Sequence, residues 1–407
     1  MSVEWTTCRL GDVIELKRGY DLPQKERAAG SVPLISSAGF SDTHEVAKVK
    51  GPGVVTGRYG TIGTVYFVEN DFWPLNTTLY VRDFKGNDPR FVSYFLRGID
   101  FHAYSDKAAV PGLNRNHLHE AKVSFPPLPE QRAIAATLGA LDDKIELNRR
   151  MNETLEAMAR ALFRDWFVDF GPTRAKMAGT APYLSDDLWS IFPDHLDDEG
   201  KPEGWEFQTV IDQADWINGA AYKNMHFSEA PEALPVIKIA ELKNGVTGNT
   251  QWTATDLGPR YLIDDGELLF SWSGNPDTSI DTFLWSGGKA WLNQHIFAVR
   301  ENGKRSKPFL HAMLKFLKPD FAELARNKQT TGLGHVTKAD MQRMLICTGS
   351  QPVHQAFDQL ITPIFNRAFL LQMESRTLAQ TRDLLLPRLM SGELRIAEAK
   401  RMLEEVA

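Results

Sequence analysis

The chain has 407 residues, 43% of them hydrophobic, which is enough for two or three domains with sizeable cores and excludes global disorder. Its net charge of −6 speaks, on its face, against nucleic acid, and its two cysteines (Cys8 and Cys347) against a disulfide framework or a Cys-based zinc site. No run of about 18 apolar residues could span a membrane, and the opening MSVEWTTCRLGD carries no apolar signal core, so a cytoplasmic chain without a membrane partner is expected.

Residues 1–128 read as a first globular part. Short β-like runs at 53–60, 64–68 and 79–82 are separated by Gly, Asn and Asp, and a helical stretch follows at 88–97. Residues 129–171 read as a long helix. Its apolar seam alternates by four and three through Ile134, Leu138, Leu141, Ile145, Asn148, Asn152, Leu155, Ala159, Leu162 and Trp166. Pro129 suits the first turn, Glu130 suits the positive end of the dipole, and Gly171-Pro172 supply the stop. Residues 172–202 form a connector. Seven acidic residues lie between Asp186 and Glu203 against one lysine, Lys201, so most of the net negative charge is local and the rest of the chain is near neutral.

A second globular part spans 203–351, with β-like runs at 267–272 and 295–300 and a helical stretch at 308–317. Residues 352–407 hold a second long helix and a tail. Its seam is Phe357, Ile361, Ile364, Ala368, Leu371, Ser375 and Leu378. Pro363 predicts a kink or a late start, and Pro387 predicts the end. Either long helix alone could be an ordinary core helix. Two of them, each closing a globular part, favour burying their seams against each other. Asn148 and Asn152 would then either fix register and orientation or contact a different protein.

The order of these parts reflects a duplication. Trp5, Asp12 and Gly19 match Trp205, Asp212 and Gly219 at an offset of 200; Pro33 matches Pro235 at 202; Asn76 matches Asn293 at 217. Gly112-Leu113 match Gly332-Leu333 at 220, and Pro129, Ala133, Thr154, Leu155 and Leu162 match Pro352, Ala356, Thr377, Leu378 and Leu385 at 223. The steadily rising offset fits a unit of roughly 200 residues used twice, with insertions in the second copy. The fold class is α+β, a small irregular sheet or barrel plus helices in each copy.

The motifs of catalysis are missing. There is no (N/D)PP(Y/F) run, no GxxxxGK(S/T) phosphate loop and no HExxH; Glu120-Ala-Lys122 has no Pro-Asp upstream of it, and His117 and His119 read as a surface pair, not a metal site. No catalytic residue and no metal ligand is therefore assigned. The polar loops are more informative. Arg58 and Tyr59 stand amid glycines, with Lys107 and Asn114-Arg115-Asn116 later in the first copy. Trp272 and Asn275, then Lys328, Gln329 and His335, occupy comparable places in the second. Arg, Lys, Asn and Gln make bidentate contacts to base edges, and Lys and Arg hold phosphates. Ordinary turns would use the same Gly and Asn residues. The recurrence of such loops with different identities is what two readers on one scaffold would look like.

The segment PPLPEQRAIAATLGALDDKIELNRRMNETLEAMARALFRDWFVDFGP, residues 126–172, resembles the central conserved region of the specificity subunits of Type I restriction–modification enzymes. The resemblance continues through WSIFPD at 189–194 and PEGW at 202–205, and LLLPRLMSGEL at 384–394 is similar to that family's C-terminal conserved region. It implies two target recognition domains, 1–128 and 203–351, each reading half of a bipartite DNA sequence. It also implies that the long helices form an antiparallel coiled coil that separates the domains and sets the spacer. Two methyltransferase subunits would dock on these helices and bring S-adenosylmethionine; restriction subunits would add translocation and cleavage with ATP and Mg2+. The chain itself would bind no cofactor. The seam from Ile134 to Trp166 is about 50 Å long at ~1.5 Å per residue, against roughly 34 Å for a turn of B-DNA. The recognition domains of this family diverge too widely for base contacts to be transferred by motif. The alternative reading is a bivalent coiled-coil protein adaptor without DNA specificity, which salt-dependent DNA binding would separate from the first.

Overall fold

Short runs rich in β-branched and aromatic residues pair into the same arrangement twice. The structure, a computed structural model, describes residues 5–105, 112–328 and 333–406. It divides into two units, Met1–Glu146 with Thr377–Ala407, and Leu147–Arg376. The long helices, Leu128–Phe167 and Gln351–Met390, each contribute to both units, so their halves are taken with the unit they pack in.

In the first unit an antiparallel sheet has the order Glu15–Arg18, Thr78–Asp83, Gly53–Gly57, Val65–Val68. A smaller sheet pairs Gly39–His44 with Val32–Ser36, which runs parallel to Trp73–Pro74. The helix Pro89–Arg97 starts where the sequence signals it. Asp88 caps it by accepting the Phe91 amide at 2.8 Å, and Pro89 presets the first turn. The ring centroids of Phe91 and Phe95 lie 5.3 and 4.8 Å from that of Phe125. Strand Thr6–Arg9 closes the unit by pairing antiparallel with Lys122–Phe125.

The long-helix halves here bury Ile134, Leu138 and Leu141 in one cluster with Leu385 and Leu389. Asp142 is their polar pin: it accepts from Tyr94 Oη at 2.6 Å and Arg382 Nη1 at 2.8 Å, with Arg97 at 3.6 Å. Burial would raise this carboxyl, but the hydrogen bonds from Arg382 and Tyr94 outweigh it and hold the group below its ordinary value. Glu130 pairs with Arg395 at 3.4 Å. Residue 130 facing 395 and 142 facing 382 makes the two halves antiparallel.

The second unit repeats the plan. Its main sheet has the order Asp215–Asn218, Ile296–Arg300, Leu268–Ser271, Asp281–Leu284; its smaller one places Leu234–Ile237 parallel to Ala290–Leu292. Glu206–Thr209 pairs antiparallel with Leu345–Thr348, as the first unit's terminal strands do. Helices Lys307–Phe316 and Lys318–Asn327 cover the sheet. An aromatic cluster joins the long-helix halves: Phe163, Trp166, Phe167, Phe309 and Phe357, with Phe357 centroids 5.7 Å from Trp166 and 5.1 Å from Phe167. Further along, Asn148 Nδ2 donates to Glu374 Oε2 at 2.9 Å, so these halves are antiparallel as well. Every seam position named from sequence is buried or half-buried.

Two expectations are corrected. The second long helix begins at Gln351 and runs unbroken through Pro363 and Pro387 to Met390. Pro363 and Pro387 are exposed, as are the residues one turn earlier, Gln359 and Asp383. The carbonyls that lose a donor thus face solvent, which satisfies them. The first long helix ends at Phe167, and Gly171-Pro172 do not merely stop it. Phe170, in the left-handed region at φ 54°, turns the chain into a second helix, Gly171–Met177. The acidic connector packs into the second unit. Phe170 and Phe192 are in the second unit's core beside Trp205, and Lys176 and Lys201 neutralise Asp194 and Asp197 at 2.9 and 2.5 Å.

Candidate nucleic-acid interface

In the first unit, strand Gly53–Gly57 runs out into Arg58. The Arg58 amide donates to the Thr77 carbonyl at 2.9 Å, and its carbonyl accepts the Leu113 amide at 3.0 Å. The next residue, Tyr59, bridges to Gly112, where a Cβ would collide with the Tyr59 ring. The main chain is therefore pinned on both sides of one arginine. Its guanidinium carbon lies 4.5 Å from the Tyr59 ring centroid, and it makes no hydrogen bond or ion pair among the described residues.

Around it the fold gathers residues from three stretches of sequence. Arg18, Arg58, Tyr59, Asn114, Arg115 and Asn116 line a cleft of about 310 Å³ whose floor includes Leu79 and Leu113. Asn114 caps the short helix Arg115–His119 by accepting the Asn116 amide at 3.0 Å. The Arg115 side chain is exposed. Among the described residues Arg18 reaches one carboxylate, Asp21, at 3.8 Å. Three guanidiniums thus share a concave face in a chain whose net charge is negative. His119, one of the expected surface pair, builds the frame instead. Its Nε2 accepts the Leu16 amide at 2.9 Å, and burial holds its imidazole below the usual value.

The second unit has the same backbone device with other side chains. The Trp272 carbonyl accepts the Val336 amide at 2.8 Å, as Arg58 accepts Leu113, and Ser273-Gly274 pair with His335 and Gly334. Trp272 is half-buried. Its Nε1 donates to Asn218 Oδ1 at 3.0 Å, and its ring lies 5.9 Å from Phe297 and 5.5 Å from His295. Asn218 ends its strand opposite Phe297 as Arg18 does opposite Leu79. His335 is exposed beside this position. Asn275 accepts the Asp277 and Thr278 amides at 3.0 and 3.1 Å, so its oxygen builds a turn. Lys328 Nζ sits 2.5 Å from both Asp340 carboxylate oxygens. Although burial opposes it, Lys328 and Thr337 hold that carboxyl down to about 2. Asn275 and Lys328 are thereby committed to local structure and not to an open polar face. Lys107 and Gln329 lie outside the described residues.

Sequence reasoning brought Arg58, Tyr59 and Asn114–Asn116 to notice, and the fold gathers them in one cleft. It missed Arg18 and Asn218. Both end strands some 40 to 54 positions from their partners, and the only signal was the shared Gly19 and Gly219 that follow them.

A family model described as the Type I restriction modification DNA specificity domain matches residues 2–157 and again 202–348. The MjaIX specificity subunit of a Type I restriction enzyme from Methanocaldococcus jannaschii is 26% identical over 363 residues, covering 86% of this chain and 79% of that one. The HindI specificity subunit from Haemophilus influenzae is 24% identical over 391 residues, covering 82% and 84%. A crystal structure of the S subunit of a Type I restriction–modification system from M. genitalium shares the fold with a TM-score of 0.57. It covers 95% of this chain and 96% of that one at 15% identity.

Proposed function

This chain belongs to the Type I restriction–modification DNA specificity family, and we propose that it reads a bipartite double-stranded DNA target, one half with each duplicated unit. The observation that carries this is the double match: the family model falls once on each copy of the repeated plan of two sheets and polar loops. In this reading Arg58, Tyr59, Asn114, Arg115 and Asn116, with Lys107, face one half-site. Trp272 and His335, with Gln329, serve the other, while Asn275 and Lys328 brace the local structure. Phosphate contacts position each unit, and base-edge contacts specify the sequence.

The chain performs no chemistry itself. Two methyltransferase subunits bind S-adenosylmethionine and methylate adenine at the sites it selects, and restriction subunits use ATP and Mg2+ to translocate and cleave. Each long helix has 40 residues, about 60 Å at ~1.5 Å per residue, and helix length sets the spacer that neither unit reads. Removing one turn from both helices should shorten it.

The test is genome-wide adenine methylation, mapped by single-molecule sequencing in a host expressing this chain with its methyltransferase subunits, and in hosts lacking one or the other. A bipartite motif present only when both are expressed is the expected result. Methylation without this chain, or a motif with one contiguous half, would overturn the reading.

A further inference from the structure

We propose that Arg58 reads a guanine in the half-site contacted by the first unit, and that the second unit makes no such contact from the equivalent position, Trp272. The inference rests on the DNA-specificity reading above and assigns part of that specificity to one side chain.

A guanine presents two acceptors, N7 and O6, side by side in the major groove, and the planar fork of arginine matches them with two parallel hydrogen bonds. Such a contact discriminates only if the fork is held in one plane and one place. Arg58 meets that condition better than the other arginines of the cleft. Its amide and carbonyl are bound to two separate segments of the frame, the Thr77 carbonyl at 2.9 Å and the Leu113 amide at 3.0 Å. Its guanidinium is laid over the Tyr59 ring, which lies against Gly112, the residue that Tyr59 pairs with through its main chain. The side chain is half-buried, its donors have no partner among the described residues, and the cleft has an apolar floor of Leu79 and Leu113. A donor set kept unpaired against an apolar wall is poised for a ligand that supplies its own acceptors.

Arg18 and Arg115 are exposed, one loosely drawn to Asp21 at 3.8 Å and the other on the first residue of a short helix. Mobile, solvated cations suit phosphates, whose contact carries no sequence information. In the second unit the same backbone position presents an indole, whose single N–H is already spent on Asn218. It has no second donor with which to match the two acceptors of guanine.

The experiment is a selection from a randomised duplex library by the full chain in complex with its methyltransferase subunits, repeated with Arg58→Ala, Arg58→Lys and Arg18→Ala. The wild-type complex should yield two fixed halves, one containing a guanine. Arg58→Ala and Arg58→Lys should reduce the preference for that guanine over other bases by about 5- to 150-fold. The second half should stay fixed, which shows the protein is folded and assembled. Arg58→Lys keeps the charge and loses the fork, so it separates base reading from charge alone. Arg18→Ala should weaken binding to all sequences alike and leave the guanine preferred. Two fixed halves in which no guanine preference depends on Arg58 would overturn this proposal and leave the specificity reading standing. A wild-type selection without any fixed base would overturn both.

Discussion

At Arg58 and Trp272 the two units of this chain are alike in backbone and opposite in chemistry. Each residue follows the same central strand, and each gives its carbonyl to the amide before the same short helix, Leu113 at 3.0 Å and Val336 at 2.8 Å. One side chain is a stacked guanidinium, unpaired among the described residues; the other is an indole already bonded to Asn218. In both units the main chain at this position is held by main-chain hydrogen bonds that do not depend on which side chain it carries. A duplicated reader can change what it reads there without changing how it folds.

Away from that position the copies have diverged in what stabilises them, and mutation can sharpen the contrast. Phe357 and Ile134 are equivalent at the offset of 223, and both are buried to within 1%. Phe357 sits among Phe163, Trp166, Phe167 and Phe309, whereas Ile134 lies in an aliphatic seam. Phe357→Ala should cost about 3–5 kcal/mol, and Ile134→Ala nearer 2 kcal/mol. Urea unfolding of each variant, followed by tryptophan fluorescence, checks the order. Equal losses would mean that the aromatic cluster adds nothing beyond volume.

Those packed positions are also where the sequence was most readable. Both seams follow from spacing alone, because burial at every third or fourth residue leaves a periodic trace. The duplication was legible because matched residues such as Gly19 and Gly219 sit where a Cβ would strike the carbonyl oxygens of Leu75 and Asn293. Helix continuity through Pro363 was not legible. It depends on which face meets solvent, and a proline alone does not report that. The packing of the connector was not legible either: its acidic residues dominate its composition, while Leu184, Leu188 and Phe192 pack into the second unit. At the candidate interface, chemistry could be guessed residue by residue, but assembly could not. Arg18 joins Arg58 and Arg115 only through strand pairing, and Lys328 is occupied by Asp340, a partner 12 residues away.

A second equivalent pair separates the units by pH. Gln131 is fully bonded, giving Nε2 to Asn87 and Pro126 and accepting the Asp88 amide at 3.0 Å. Its counterpart, His354, stacks on Phe167 at 5.2 Å with neither ring nitrogen partnered among the described residues, and burial pushes its imidazole down to about 3. Unfolded, it titrates near its ordinary value of 6.5. The unfolded state therefore binds a proton that the folded state refuses, and stability present above pH 6.5 is lost as pH falls from there toward 3. His354→Gln should flatten that loss. The melting temperatures of the two proteins, measured from pH 7.5 to 4.5, should diverge progressively below 6.5. Parallel curves would mean that other groups carry the acid sensitivity.

The smallest effect concerns the polar point of the seam. Asn148 is fully buried; its Nδ2 reaches Glu374 at 2.9 Å, but among the described residues its Oδ1 is without a hydrogen-bond partner, as is Asn152 Oδ1 one turn on. At the equivalent place in the second helix stands Leu371, also fully buried. A buried, unmatched carbonyl costs about 1–3 kcal/mol, while the one hydrogen bond to a charged partner returns about 1.5–3. The two nearly cancel, so Asn148→Leu should shift stability by no more than about 1 kcal/mol in either direction. Its value is therefore specificity, if it has any. A variant that melts within a few degrees of wild type yet elutes as mixed species would assign Asn148 to fixing helix register. One that stays a single species and still assembles with methyltransferase subunits would remove that role. One that stays single but fails to assemble would turn the asparagine toward the partner.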